Sequence, residues 1–235
     1  MSIVLERVEE AKNKIPAEIL EELSNKPLSR VMRRQTWPDH ERAEFSDFEQ
    51  ALVKGTISRE GYAELLVQTY FIYIALEEKA VELQGDPVAG PVLFPELLRK
   101  DFIEADLEFY LGPEWRDQIK PMEVTEEYVD RIRSSSPEQF VAHHYTRYLA
   151  DLSGGLMIAA SLKNAWNLDR DGIRYYEFPG IPDANEWKKE YRKTLDELPV
   201  DPEMKRRIIE EVLIAYEFNI ELANQLGDRF LDPSS

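Results

Sequence analysis

The chain has 235 residues, 43% of them apolar and 32% charged, with a net charge of −17, three histidines and no cysteine. That length can bury a sizeable core in a single helical domain. The negative field works against nucleic acid and anionic membrane as partners, and the missing thiols exclude disulfides, thiolate metal ligands and thiol catalysis. An anionic ligand therefore needs a local basic cluster. No apolar run reaches the roughly 18 residues that would suggest a membrane span. Residues 1–25, rich in Glu and Lys, lack the apolar centre of a signal peptide, so the expected location is cytoplasmic.

Residues 1–30 read as an N-terminal extension of short amphipathic helices (Val4–Lys12, Ala17–Leu23) broken by Pro16 and Pro27, ahead of a domain over 31–228. Thr36-Trp37-Pro38-Asp39 offers a cap and an early proline for a helix carrying His40, Glu44, Phe48 and Leu52 and ending at Gly55. Ser58 predicts the start of a long helix to Leu83, closed by Gly85. After a connector over Pro87–Pro95, helices are predicted over Glu96–Leu111, from Thr125 to Arg133, and from about Ser136 to Trp166. Residues 167–182 read as turn, Asp183 begins a helix to Leu198, and Asp201-Pro202-Glu203 begins the last, ending near Gly227. Strand signals are nearly absent and no repeat is visible. The expected fold is a single compact all-α domain of about eight helices.

The helix from Ser136 carries the most telling stretch, Tyr145-Thr146-Arg147-Tyr148-Leu149-Ala150-Asp151-Leu152-Ser153-Gly154-Gly155. Each glycine costs about 1 kcal/mol against alanine in a helix interior. By pattern alone, an ordinary hinge or a tight helix crossing accounts for them, and the wall of a pocket for a flat ligand is the alternative. Arg147 and Asp151 share a face four residues apart, as an ordinary surface pair also does. His40 and Glu44 share a face in the same way, which by spacing alone describes a surface pair. Lys188, Lys189, Arg192 and Lys193 form a basic island in an acidic chain.

The stretch Tyr145–Gly155 resembles the distal-helix signature of the haem oxygenases, departing at Ala150, where that family has glycine. His40-Glu41-Arg42-Ala43-Glu44 resembles the family's proximal segment, and Phe178-Pro179 with Trp187–Arg192 its propionate-binding helix. The likeness extends over about residues 33–226. It implies haem b, at once substrate and cofactor, sandwiched between a proximal helix and a kinked distal helix. His40 is then the axial iron ligand, bound as neutral imidazole, with Glu44 influencing its second nitrogen. Gly154 and Gly155 let the backbone lie close over the porphyrin. Asp151 holds ordered waters beside bound O₂, with Arg147 and Tyr73 in the same network, so that protons arrive through water rather than from a strong acid in direct contact. Lys188, Arg192, Tyr145 and Arg33 hold the propionates, and Trp37 replaces a second basic residue there.

The implied function is oxidative cleavage of haem to biliverdin, CO and Fe²⁺, with electrons from a ferredoxin or flavoprotein reductase, in a monomer or weak homodimer. A non-catalytic haem-binding or haem-sensing relative, altered in O₂ handling by Ala150, is the alternative. A di-iron carboxylate protein needs paired Glu-x-x-His segments, which the chain lacks. His143 and His144 are expected to be structural or to join the outer network, with one of them as the axial ligand the minor alternative. Tyr216, Phe218, Asn219 and Phe48 are expected beside the pocket. Lys205-Arg206-Arg207 and the Lys188–Lys193 island are both expected as docking patches for an acidic ferredoxin.

Overall fold

Local capping sets the start of several helices. The computed structural model describes residues 9–10, 14–16 and 18–231. Among them are nine α-helices, four short 3₁₀ turns and no strand. The helices are α1 Ile19–Asn25, α2 Leu28–Glu44, α3 Asp47–Lys54, α4 Arg59–Glu82, α5 Lys100–Leu111, α6 Glu123–Ser134, α7 Pro137–Trp166, α8 Ala184–Asp196 and α9 Pro202–Phe230. Ser58 accepts from the Gly61 N–H at 3.0 Å to start α4, Asp183 from those of Asn185 and Glu186 to start α8, and Asp201 from that of Met204 to start α9. Each satisfies backbone donors that a helix N-terminus leaves free.

Three boundaries differ from expectation. The helix expected from Thr36 to Gly55 is two helices. Thr36 is no cap; it is buried inside α2, and its hydroxyl donates to the Met32 carbonyl at 3.0 Å. Pro38 lies within α2 and removes one backbone donor, yet the helix persists because Leu28, Val31 and Met32 bury its first two turns. Ser46 then caps a separate α3, which Gly55 ends at φ 68°. The end of α4 uses no left-handed glycine at Gly85, because the chain leaves the helix at Leu83. The segment expected to be helical from Glu96 is a 3₁₀ turn, Pro95–Leu97, and the α-helix begins only at Lys100. The first amphipathic helix expected, Val4–Lys12, falls outside the described residues except for Glu9 and Glu10, which are helical.

The core gathers around α9, which packs on α1, α2, α3, α4, α6 and α7 and buries residues along its length from Ile208 to Leu226. Ile19 and Leu23 of α1 belong to that core, so the packed unit begins ahead of the boundary expected at residue 31. A buried polar cluster ties α6, α7 and α9. Arg131 grips Glu211 with two bonds of 2.7 Å, Gln139 donates to Glu211 at 2.9 Å, and His143 Nε2 lies 3.0 Å from it. Burial alone pushes the Glu211 carboxyl up, but the bonds from Arg131 and His143 outweigh it and hold it down at about 2.

α8 reaches two neighbours. Asp196 at its end accepts from the backbone N–H and hydroxyl of Ser29, at 2.7 and 2.9 Å, at the start of α2. Its Tyr191 hydroxyl lies 2.8 Å from His144 Nδ1 on α7. Burial depresses His144 to about 3, so the ring is neutral.

Candidate functional site

A cavity of about 290 Å³ opens between α2 and α7, with further walls from α3, α4, α9 and the Arg174–Tyr176 turn. His40 and Glu44 come from α2, and Arg147, Asp151, Gly154 and Gly155 from α7. Two segments about a hundred residues apart in sequence thus meet across one cavity, held by their common packing on α9.

His40 stacks on Trp37, ring centroids 5.0 Å apart and planes 6° from parallel, and meets Tyr216 edge-on at 6.2 Å. Its Nδ1 is buried without a hydrogen bond, and the Glu44 carboxylate lies 3.5 Å from it, just too far for a good one. Arg33 lies over the Trp37 ring at 5.3 Å. Trp37, where a basic residue was expected, therefore fixes the plane of the imidazole. Aromatic stacking places His40 more firmly than Glu44 does.

Asp151 and Arg147 do not pair directly. Asp151 accepts a short hydrogen bond from the Tyr73 hydroxyl and a second from Tyr175. Arg147 donates to Asn219 at 2.6 Å and to the Tyr175 hydroxyl at 3.4 Å, and its Nε is buried without a partner. Tyr175 thus stands between the acid and the base. Burial pushes the Asp151 carboxyl up, opposed by the nearby Arg147 charge and the two phenols, and the net shift is upward.

The helix runs unbroken through the glycine pair. The two glycines do different things. A Cβ on Gly155 would lie 2.6 Å from Tyr176 Cδ1, so its bare backbone admits that ring. A Cβ on Gly154 would meet nothing within 4 Å, so its bare face is open at the cavity. Ala150 also lies on the cavity wall.

The basic island gathers at the rim. Lys188 donates to Ser153, which lines the cavity, at 3.2 Å. Burial and the neighbouring Arg192 charge lower its pKa. Arg192 and Arg33 both act on the Tyr145 hydroxyl, which burial nonetheless holds above its usual range. These four residues, from α2, α7 and α8, form one electrostatic neighbourhood. Lys189 instead pairs with Glu186 at 2.6 Å. Within Lys205–Arg207 the charges are largely spent internally: Arg206 pairs with Glu203 and Glu210, and Arg207 with Glu138.

His143 and His144 stand away from the cavity wall, in the contacts with Glu211 and Tyr191. Tyr216 and Asn219 line the cavity, while Phe48 and Phe218 belong to the core. Sequence reasoning missed Tyr175, Tyr176 and Glu49. The tyrosines sit in a 3₁₀ turn without periodicity, and Glu49 lies on a short helix whose pattern reads as solvated on that side.

The residues present fit a haem. One wall offers an imidazole with no hydrogen bond on either nitrogen among the described residues, the facing wall a bare glycine backbone, and the rim a basic cluster for two carboxylates. The family model described as Heme oxygenase matches residues 26–225. The chain is 38% identical to Heme oxygenase 1 of Synechocystis over 85% of this chain and 84% of that one. It is likewise 38% identical to rat Heme oxygenase 1 over 85% of this chain and 71% of that one. The crystal structure of the Synechocystis protein, titled as a complex with heme, superposes with a TM-score of 0.83 over 87% of this chain and 94% of that chain, at 37% identity. The heme oxygenase of Leptospira interrogans gives a TM-score of 0.80 at 36% identity, over 85% of this chain and all of that one. With that coverage by model, sequence and fold, the chain belongs to the haem oxygenase family.

Proposed function

We propose that this chain degrades haem oxidatively to biliverdin, CO and Fe²⁺, taking O₂ and electrons from a ferredoxin or flavoprotein reductase. The observation that supports the reading is the cavity itself, with His40 on one wall and Asp151, Arg147 and Tyr175 on the other, Asp151 being bonded in turn to buried Tyr73. Haem, when bound, supplies the ring to be cleaved and the iron that activates O₂.

The chain's own residues do the rest. His40 takes the metal, and Trp37 and Tyr216 keep its ring from turning. Lys188, Arg192, Arg33 and Tyr145 hold the propionates at the rim and so set which ring edge enters. Gly154 lets the α7 backbone approach the ring plane. Asp151 holds solvent on the carboxylate valence that the two phenols leave free, and the Arg147 charge keeps part of its acidity despite burial. Such an acid passes protons through water instead of striking the reacting centre directly. Apart from His40, no imidazole lies on the cavity wall among the described residues. For the electron donor, Lys188, Arg192 and Lys193 are a better docking face than Lys205–Arg207, whose arginines pair with their own acids.

The test is optical. One equivalent of haemin is added to the pure protein, then ascorbate in air with catalase present. A one-to-one Soret complex that bleaches as a red biliverdin band grows supports the reading. A stable complex that never bleaches favours a haem-binding relative and points to Ala150. Failure to form any complex refutes the assignment of His40.

A further inference from the structure

Glu49 has no place in the scheme above, yet its carboxyl lies on the cavity wall with Asp151. No hydrogen bond or ion pair engages that carboxyl among the described residues. Leu52, Val53, Leu65 and Ile158 are the apolar part of the same wall. The position is not a loose one. Ser46 caps α3 through the Glu49 N–H itself, Ser161 of α7 donates to the Val53 carbonyl at 2.6 Å, and Gly55 ends the helix against the Ser161 backbone. A half-buried carboxylate without a partner, on a helix whose backbone is fixed beside a cavity, is a candidate functional group.

The groups that face it are few. Glu44 comes from α2, Arg147 and Asp151 from α7, and Tyr176 from the 3₁₀ turn, while α4 offers Leu65 and Thr69 and α9 offers Tyr216 and Asn219. The Tyr176 hydroxyl feels both acids, and Gly155 is the residue that admits its ring. Burial, reinforced by Asp151 and Glu44 and opposed by Arg147, raises the Glu49 carboxyl from 4.5 to about 7.

We propose that Glu49 is a second proton-exchanging acid of the haem cavity, which acts on the bound haem's surroundings through cavity solvent and through its charge coupling to Asp151. Its carboxyl O–H gives a proton to cavity water and recovers one from bulk water through the open mouth, with no change of oxidation state. This rests on the haem reading for its purpose but not for its chemistry. Glu49 is a positioning and proton-holding residue; nothing requires it to touch the ring.

The experiment compares the native chain with Glu49→Gln and Glu49→Asp in two readouts. In the haem-free protein, a raised carboxyl makes stability fall as pH rises from 4.5 to about 7. Glu49→Gln removes that fall. Relative to native, its unfolding constant therefore drops as pH rises through this window, by up to about 300-fold for the full shift, and Glu49→Asp retains the native trend. In the haemin complex, loss of the negative charge moves the acid–alkaline spectral transition to lower pH in Glu49→Gln and not in Glu49→Asp. If both haem-free curves are parallel at every pH, the inference is overturned. It is equally overturned if the first effect appears and the spectral midpoint stays put, because the acid then ionises without reaching the haem. A native protein that binds no haemin but shows the first effect sinks the haem reading and leaves the cavity acid standing.

Discussion

The two glycines of α7 should respond to the same substitution with opposite signs. Replacing Gly154 by alanine puts a methyl group where nothing lies within 4 Å. The helix then gains about 1 kcal/mol of propensity, which for a chain of this length raises the melting temperature by about 2–4 °C. The same methyl projects from the cavity wall, where close approach of a flat ring is expected, so haemin affinity should fall about tenfold, or about 1.4 kcal/mol. Replacing Gly155 by alanine puts the methyl 2.6 Å from Tyr176 Cδ1 and 3.3 Å from Cε1, on a buried ring. Overpacking costs about 1–3 kcal/mol, and after the gain in propensity the haem-free protein should lose up to about 2 kcal/mol. Thermal melts of the haem-free variants and haemin titrations followed at the Soret band check both. A Gly154→Ala protein that melts lower than native, or that binds haemin as tightly, refutes the division of labour between the two residues.

Other expectations follow from the same contacts. Ala150→Gly should change the spectrum of the O₂ complex and the rate of haem loss, since its methyl lies on the cavity wall; identical spectra and turnover would show that the departure from the family pattern is silent. Glu211→Gln leaves Arg131 without its anionic partner and should cost about 3–5 kcal/mol, measured by urea unfolding at neutral pH. The native Glu211 contribution is fully present above 4.5 and is lost as pH falls toward about 2. His144 works in the other direction from Glu49: its neutral ring makes stability fall as pH drops below 6.5, toward about 3. His144→Phe should flatten that limb of the curve. Tyr191→Phe should cost about 1–3 kcal/mol for the partner left unbonded and should also loosen haemin binding.

The helical architecture was legible because caps and apolar periodicity are local properties. Ser58, Ser136, Asp183 and Asp201 sit where the sequence says helices begin. Thr36 misled for the same reason: its local signature is a good cap, and only the burial of Leu28, Val31 and Met32 shows that the helix was already under way. Asp151, Arg147, Tyr73 and His40 were singled out because the resemblance carried them. That Tyr175 links Asp151 to Arg147 depends on a turn folding back over α7, which no spacing encodes. Glu49 was missed because an acid on a two-turn helix looks solvated until the neighbouring helices close around it. Its Cβ direction is local, whereas its dielectric surroundings are not.

The bonds of α8 have a mechanical consequence. One end is fastened to α2 through Asp196 and Ser29, and its middle to α7 through Tyr191 with His144 and Lys188 with Ser153. The two helices that face each other across the cavity, its jaws, are therefore joined by the element that also carries Lys188 and Arg192, the side chains proposed to hold the propionates. Separating the two helices would strain this tie-bar, and a propionate seated on Lys188 or Arg192, as proposed, should stiffen it. Admission of a flat, dianionic guest and closure of the jaws are in this way one motion, and amide exchange along Ala184–Asp196 should report its progress before the slower core amides of α9 respond.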